Sequence, residues 1–298
     1  MRFTDINGDD VLRKRKLYKV VFPIVLIVSI CLVLGLYSSK KLLTESFYEV
    51  ALPKASEPIR IVHLTDLHNS EFGEDNSKLA SRVAMQHPDL ILLTGDLLNQ
   101  DTERTDIATR LIEKLKDISS VYVSFGNHES GYERKYGKDL RALYTEAGAT
   151  VLEFNWVDIT VKSQKIRLGG LYGYCLSAEY KSEAQENESV FLEEFQDTDA
   201  LTLLLCHMPV CWQAGGSLDS WNVDVVFAGH SHGGQVRIPG MGGLWAPDRG
   251  WFPGREQGLY WSKDGKKVLV LSRGLGNWDK LPRFNNIPEI LVVDIVSK

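Results

Sequence analysis

Five apolar, β-prone runs each end in residues that ligate metals, and no other feature of the chain limits its fold so sharply. The runs 59–65, 90–94, 121–125, 200–205 and 223–228 are closed in turn by Asp66-Leu67-His68, Gly95-Asp96, Gly126-Asn127-His128-Glu129, Cys206-His207 and Gly229-His230-Ser231-His232. Five of the seven histidines fall inside these clusters, which packing alone would not arrange. Helical patterns at 77–86 and 106–116 separate the first three runs. Buried strands alternating with amphipathic helices predict βαβ units and a parallel sheet. Parallel strands bring their C-terminal ends to one edge, where sites form in open α/β sheets. Donors far apart in the chain are thus expected to converge on one site.

From 150 onward the pattern changes to short alternating strands at 150–153, 155–162 and 165–171, read as hairpins added to the sheet or as a second sheet. A helix near 188–195 follows, and 268–272 and 289–296 supply closing strands. The Gly/Pro/Trp-rich stretch 233–258 reads as a long loop, a length usually kept for function. With 298 residues, 44% hydrophobic and 24% charged, the chain has enough apolar material for one large domain or two small ones. A net charge of −5 provides no basic face for nucleic acid. Cys31 lies in an apolar segment, and Cys175, Cys206 and Cys211 form no Cys-x-x-Cys pair, so no disulfide framework is expected.

Residues 20–37 are almost uninterrupted Val, Ile, Leu and Phe, nearly long enough as a helix to cross a hydrocarbon core of roughly 30 Å. Arg13, Lys14, Arg15, Lys16 and Lys19 precede them, which by the positive-inside rule leaves 1–19 in the cytoplasm as a basic tail. The competing reading is a cleaved signal peptide, but no Ala-x-Ala pattern occurs, and Tyr37 and Lys40 suit a cleavage site poorly. A buried core helix is a further alternative, with nothing amphipathic to accompany it. The expected organisation is a tail at 1–19, a transmembrane signal anchor at 20–37, a stalk at 38–58 with a first strand at 46–52, and an extracytoplasmic domain at 59–298.

Ligands at i and i+2 on leaving a strand project to one side, so Asp66 with His68, and His230 with His232, can serve one centre. Glycine before Asp96, Asn127 and His230 lets the backbone turn sharply and approach closely. Carboxylate, imidazole and amide donors suit Mn, Fe or Zn rather than a thiolate site. Two such ions about 3.5–4 Å apart can clamp a phosphate and lower the pKa of a water.

The ordered set D-x-H, G-D, G-N-H-[DE], H, G-H-x-H resembles the signature of the calcineurin-like metallophosphoesterase superfamily, over roughly 59–296. Gly229-His230-Ser231-His232-Gly233-Gly234-Gln235 is similar to the bacterial membrane-anchored or exported branch, which includes UDP-diacylglucosamine pyrophosphatase-like proteins. The resemblance implies an α/β fold of two packed mixed β-sheets flanked by helices. It implies two divalent ions, with Asp66, His68 and His232 on the first, Asp96 bridging, and Asn127, His207 and His230 on the second. His128 would stand near the leaving group as general acid, with Asn127 helping to orient the phosphoryl group.

Phosphoprotein-phosphatase relatives carry Asp-Arg where this chain has Asn99-Gln100. The support for His128 must then come from elsewhere, and phosphodiester or pyrophosphate hydrolysis fits better than phosphoprotein hydrolysis. The location suggests a lipid-linked or cell-envelope substrate. Asn99 also keeps open an alternative, a metal-holding binding or sensor protein without turnover.

Other conspicuous residues have plainer readings. His63 reads as a packed core histidine and His87 as a solvated helix end. Glu129 reads either as an acceptor behind the site or as a helix-start carboxylate, and Cys206 as strand packing. The aromatics Trp245, Trp251, Phe252, Tyr260 and Trp261 form either a clasp on the sheet or a lipid-interface patch. Arg237, Arg249, Arg255 and Arg283 are candidate phosphate contacts.

Overall fold

Val-, Ile- and Leu-rich runs that are apolar at every position can only be strands covered on both faces, and the covering takes two sheets. The computed structural model describes residues 6–173, 183–214, 216–254, 256–277 and 281–298, so Cys175 and Arg255 lie outside the described residues. The chain begins with α1 (Ile6–Lys41), followed by β1 (Thr44–Leu52), β2 (Ile59–Leu64), α2 (Ser77–Ala84), β3 (Leu90–Thr94), α3 (Asp106–Lys116) and β4 (Val121–Ser124). Then come α4 (Asn127–Tyr136), α5 (Leu140–Ala147), β5 (Thr150–Val151), β6 (Asn155–Val161), β7 (Gln164–Leu171), α6 (Glu183–Phe195) and β8 (Leu201–Cys206). The remainder comprises α7 (Val210–Gln213), α8 (Ser217–Ser220), β9 (Val225–Ala228), β10 (Arg237–Ile238), β11 (Gly242–Ala246), β12 (Gly250–Gly254), β13 (Gly258–Trp261), β14 (Val268–Leu271) and β15 (Glu289–Ser297).

Two six-stranded sheets run in the orders β1-β15-β2-β3-β4-β5 and β13-β14-β9-β8-β7-β6. Each is mixed. In the first, β2 to β5 are parallel and β15 opposes β2. In the second, β14, β9, β8 and β7 are parallel, with β13 and β6 antiparallel at the edges.

Strand alternation then sorts the side chains into layers. Ile61, Leu92, Leu203, Leu205, Phe227 and Val270 fill the space between the sheets. Leu64, Ile91 and Leu93 face outward under α2, α3 and α5, through Leu79, Leu111, Leu115 and Tyr144. On the far side Leu204, Val226 and Leu269 meet Phe191 and Phe195 of α6 and Trp212 of α7. Burying each such side chain contributes about 1.5–3 kcal/mol.

The first strand expected at 46–52 is present as β1, and it pairs in parallel with β15 from Thr44↔Glu289 to Leu52↔Ser297. That partner is some 240 residues away, so no local pattern could announce it. The stretch read as loop 233–258 contains β10, β11 and β12, a small antiparallel sheet. Its glycines hide the strand pattern. Helices α4 and α5, unread in the sequence, follow the third strand. Helix α1 is 36 residues with Pro23 inside it, and its apolar side chains from Val20 to Tyr37 are mostly exposed. By length and composition it is sufficient to cross a membrane.

Candidate metal centre

The C-terminal ends of β2, β3, β4, β8 and β9 meet between the two sheets. Main-chain hydrogen bonds lace these ends together, from Asp66 N to Gly95 O, His68 N to Asp96 O and Gly229 N to His207 O. The loops are not extended strand. Asp66, His68, Asp96, His230 and His232 all have φ between 46° and 65°. The i, i+2 pairs therefore face one centre through left-handed turns, not through strand alternation. That conformation is costly for residues bearing Cβ, and such strain gathers at functional sites.

Two glycines are required by close approach. A Cβ on Gly126 would overlap Asp96 Oδ1, and one on Gly229 would overlap Thr65 Oγ1 and Asp66 Oδ2. The carboxylates come so near the neighbouring backbone that His128 N donates to Asp96 Oδ1 at 2.8 Å, and His230 N to Asp66 Oδ1 at 3.1 Å.

Three groups of donors result, namely Asp66, His68 and His232; His68, Asp96 and His128; and Asp96, His207 and His230. Within each, donor atoms lie within 4.8 Å of one another. Asp96 Oδ2 is 3.1 Å from His207 Nε2 and 3.7 Å from His68 Nε2. Asp66 Oδ1 is 3.6 Å from His232 Nε2 and 3.9 Å from both His68 Nε2 and His207 Nε2. Asn127 begins α4 beside Asp96, and its Oδ1 is buried without a hydrogen-bond partner.

The imidazoles are oriented from behind. His68 Nδ1 lies 2.9 Å from Asn99 Oδ1, and Asn99 Nδ2 donates to His68 O at 3.2 Å. His207 Nδ1 lies 2.6 Å from Thr94 O. A carbonyl oxygen can only accept, so both Nδ1 atoms carry hydrogen and each Nε2 is the atom that faces the centre. Both Nε2 atoms are buried, that of His207 against Asp96 Oδ2 and that of His68 without a hydrogen-bond partner. His230 Nε2 lies 2.9 Å from Asp248 Oδ2 in the turn between β11 and β12.

His128 differs. Its Nδ1 accepts from Gln100 N at 3.1 Å, which leaves Nε2 as the protonated, donating nitrogen. Its ring stands edge-on to His68 at 4.6 Å.

Burial pulls the pKa of His68 down to about 3, reinforced by His128 and His207 against the attraction of Asp96. Burial also disfavours a charged His207, but Asp96, Asp66 and the Thr94 carbonyl outweigh it and push its pKa up to about 10. Asp66 is raised by burial and by the Asp96 charge, while His207 and the other nearby cations pull the other way. A divalent cation would neutralise the two buried carboxylates and take the place of the proton that Asp96 favours on His207 Nε2. These residues fit a pair of hard or borderline ions.

Glu129 serves both roles read for it. It is the third residue of α4, and its Oε2 accepts from Gly126 N at 2.9 Å and Asp96 N at 2.7 Å, while Oε1 accepts from Leu97 N at 2.8 Å. His63 packs edge-on against Phe227 beside Thr94 Oγ1, and burial holds its pKa down at about 3. Cys206 accepts from Trp212 Nε1 inside the core.

Arg237 and Arg249 are held away from the centre, whereas Arg283 borders it. Arg237 donates to Gly233 O, and Arg249 to Pro253 O and Gln213 Oε1. Arg283 is buried and donates to Gly276 O and Arg273 O, with Nη2 3.4 Å from His232 Nδ1. Sequence reasoning missed Asp248, Thr94 and Asn286, whose Nδ2 donates to His232 O at 2.7 Å. A lone Asp, Thr or Asn in a loop carries no local signal.

The sequence pattern described as calcineurin-like phosphoesterase matches residues 59–234. A metallophosphoesterase of Campylobacter jejuni is 29% identical over 259 residues, which is 84% of this chain and 62% of that protein. The phosphodiesterase YaeI of Escherichia coli is 28% identical over 249 residues, 80% of this chain and 83% of its own length. The UDP-2,3-diacylglucosamine pyrophosphatase LpxG of Chlamydia muridarum is 23% identical, with 79% of this chain and 83% of that protein covered. The matched region contains every one of the five strand ends just described, and the chain belongs to the calcineurin-like phosphoesterase family of metal-dependent phosphoric ester hydrolases.

Proposed function

We propose that this chain hydrolyses phosphodiester or pyrophosphate bonds at a dinuclear centre of Mn, Fe or Zn, from a domain anchored to the outer face of a cytoplasmic membrane. Asp66, His68 and His232 would hold one ion and Asn127, His207 and His230 the other, with Asp96 between them. The observation that carries the reading is the pair of buried Nε2 atoms of His68 and His207, each within 3.9 Å of the same two carboxylates. When bound, such ions supply Lewis-acid polarisation of phosphoryl oxygens and lower the pKa of water. His128 Nε2–H is the donor for the departing oxygen, and the Gln100 amide fixes its tautomer. Asn127 orients the phosphoryl group.

Asn99 holds His68 rather than His128, so its amide is no obstacle to turnover. That weakens the alternative of a metal-holding protein without activity. Gln100 stands in place of an arginine, and of the described candidate arginines Arg283 alone borders the centre, which leaves few fixed cations for a dianionic monoester. A linkage with less charge at phosphorus suits the site better. Anchoring by residues 20–37, with 1–19 cytoplasmic, and the likeness to LpxG support a lipid-linked substrate.

The test is release of p-nitrophenol from bis-p-nitrophenyl phosphate by the full-length chain in detergent with Mn, Fe or Zn. Metal-dependent release is expected, exceeding that from the monoester and lost in Asp96→Asn. Equal rates for wild type and Asp96→Asn would defeat the reading.

A further inference from the structure

We propose that the small sheet β10–β12 is a second bilayer contact, which sets the metal centre at the level of the lipid headgroups. The inference rests on the anchored reading above and deepens it. It begins where α1 leaves the membrane. No free linker follows the helix, since β1 starts at Thr44, three residues beyond Lys41. Gly35, still within the apolar stretch, is pressed against the Phe284 ring so closely that a Cβ would overlap it. Ser39 is buried and its Oγ accepts from Asn286 N at 3.0 Å. The loop 284–286 is therefore held at the membrane end of the domain.

That loop is bonded directly to the small sheet. Arg237 N donates to Phe284 O at 3.0 Å, and Asn285 Nδ2 to Arg237 O at 3.0 Å. Beyond β10 the chain turns at Met241, which is 61% exposed, while β12 presents Trp251 at 67% and Phe252 at 59%. Five residues of chain from Val236 to Met241 reach at most roughly 17 Å, so Met241 cannot be far from the end of the span. β12 lies two strand spacings, about 10 Å, from β10. Three large exposed apolar side chains on so small a sheet need a partner, and Trp at a membrane surface sits at headgroup level.

The small sheet also touches the centre. Gly234 meets Gly243 of β11 at a distance that admits no Cβ, and Asp248 holds His230 Nε2 at 2.9 Å. The same small sheet thus carries the exposed apolar side chains and packs against the ligand loop of His230 and His232. The occupant we assign to the patch is the phospholipid bilayer, and the substrate class is the phosphate linkage of an amphiphile lying in it.

The experiment places the full-length chain in nanodiscs of phosphatidylethanolamine and phosphatidylglycerol, with acyl chains either plain or brominated near the headgroup. Retention in the disc reports the anchor. Bromine quenching of tryptophan emission reports the sheet, and the quenched fraction should shrink in Trp251→Phe. The double variant Trp251→Glu with Phe252→Glu should hydrolyse bis-p-nitrophenyl phosphate within about twofold of wild type, yet lose about tenfold on a phosphodiester carried by a disc lipid. Equal quenching in wild type and Trp251→Phe, with the chain still in the disc, would overturn the contact while leaving the anchor and the activity in place. A doubled mass with Trp251 unquenched would assign the patch to a second copy and equally overturn it. Loss from the disc would remove the anchor and this contact together. Inactivity on the soluble diester despite Trp251 quenching would reject the hydrolase reading and leave the contact standing.

Discussion

His68 and His207 reach the centre as donors of the same kind by different means, one braced by a side-chain amide and the other by a main-chain carbonyl. Only the first can be removed by substitution. Asn99→Ala should weaken Mn binding by about 10–100-fold, read by calorimetric titration of the full chain, because the imidazole loses the partner that fixes its tautomer and ring plane. Unchanged affinity would show that packing alone orients His68. At this scale the sequence is legible for the donors and mute for their supports. Asp66, Asp96, His207 and His232 each follow an apolar run and so announce themselves. Asn99, Thr94 and Asp248 act across 18 to 113 residues of chain, through contacts that exist only once the sheets have packed. The left-handed backbone of five site residues is likewise invisible, since none of those five is a glycine.

Among the elements, β3 and α3 are read at their observed ends because each carries a full pattern, five apolar residues in one case and a helical stripe with Ile107, Leu111, Ile112 and Leu115 in the other. Helix α4 is missed because it opens with the ligand cluster itself and is mostly polar, and α5 because its stripe of Leu140, Tyr144 and Ala147 spans only eight residues. Strands β11 and β12 are missed because glycine occupies so many of their positions. Burial between the sheets predicts the largest mutational losses. Leu203 of β8 is fully buried there, and Leu203→Ala should lower the unfolding free energy by about 2–5 kcal/mol in a urea titration. A loss below about 1 kcal/mol would mean that the two sheets close over the gap far more readily than a packed core does.

For the whole molecule, the two buried carboxylates differ in how well the fold holds their charge. Burial and the Asp96 charge push the Asp66 carboxyl up, whereas His207, His128 and His68 overcome burial and hold Asp96 well below the usual carboxylate range. A ligand that binds only the folded state stabilises it by about 2.7 kcal/mol at a hundredfold excess over Kd. Saturating Mn should therefore raise the melting temperature of the wild type and leave Asp96→Asn nearly unmoved, whereas after chelation Asp96→Asn should melt below the wild type, because the buried pair of Asp96 with His207 is lost. Scanning fluorimetry of the four samples decides it, and a wild type indifferent to Mn would refute the account.

The pairing of β1 with β15 carries a further consequence, for biosynthesis. β1 and β2 are neighbours in sequence, yet β15 lies between them in the sheet. While the ribosome is still translating the later strands, both must wait with the edges that face β15 open. The first sheet closes only after residues 289–297 have emerged, so maturation of the domain is held until synthesis has passed its final strand.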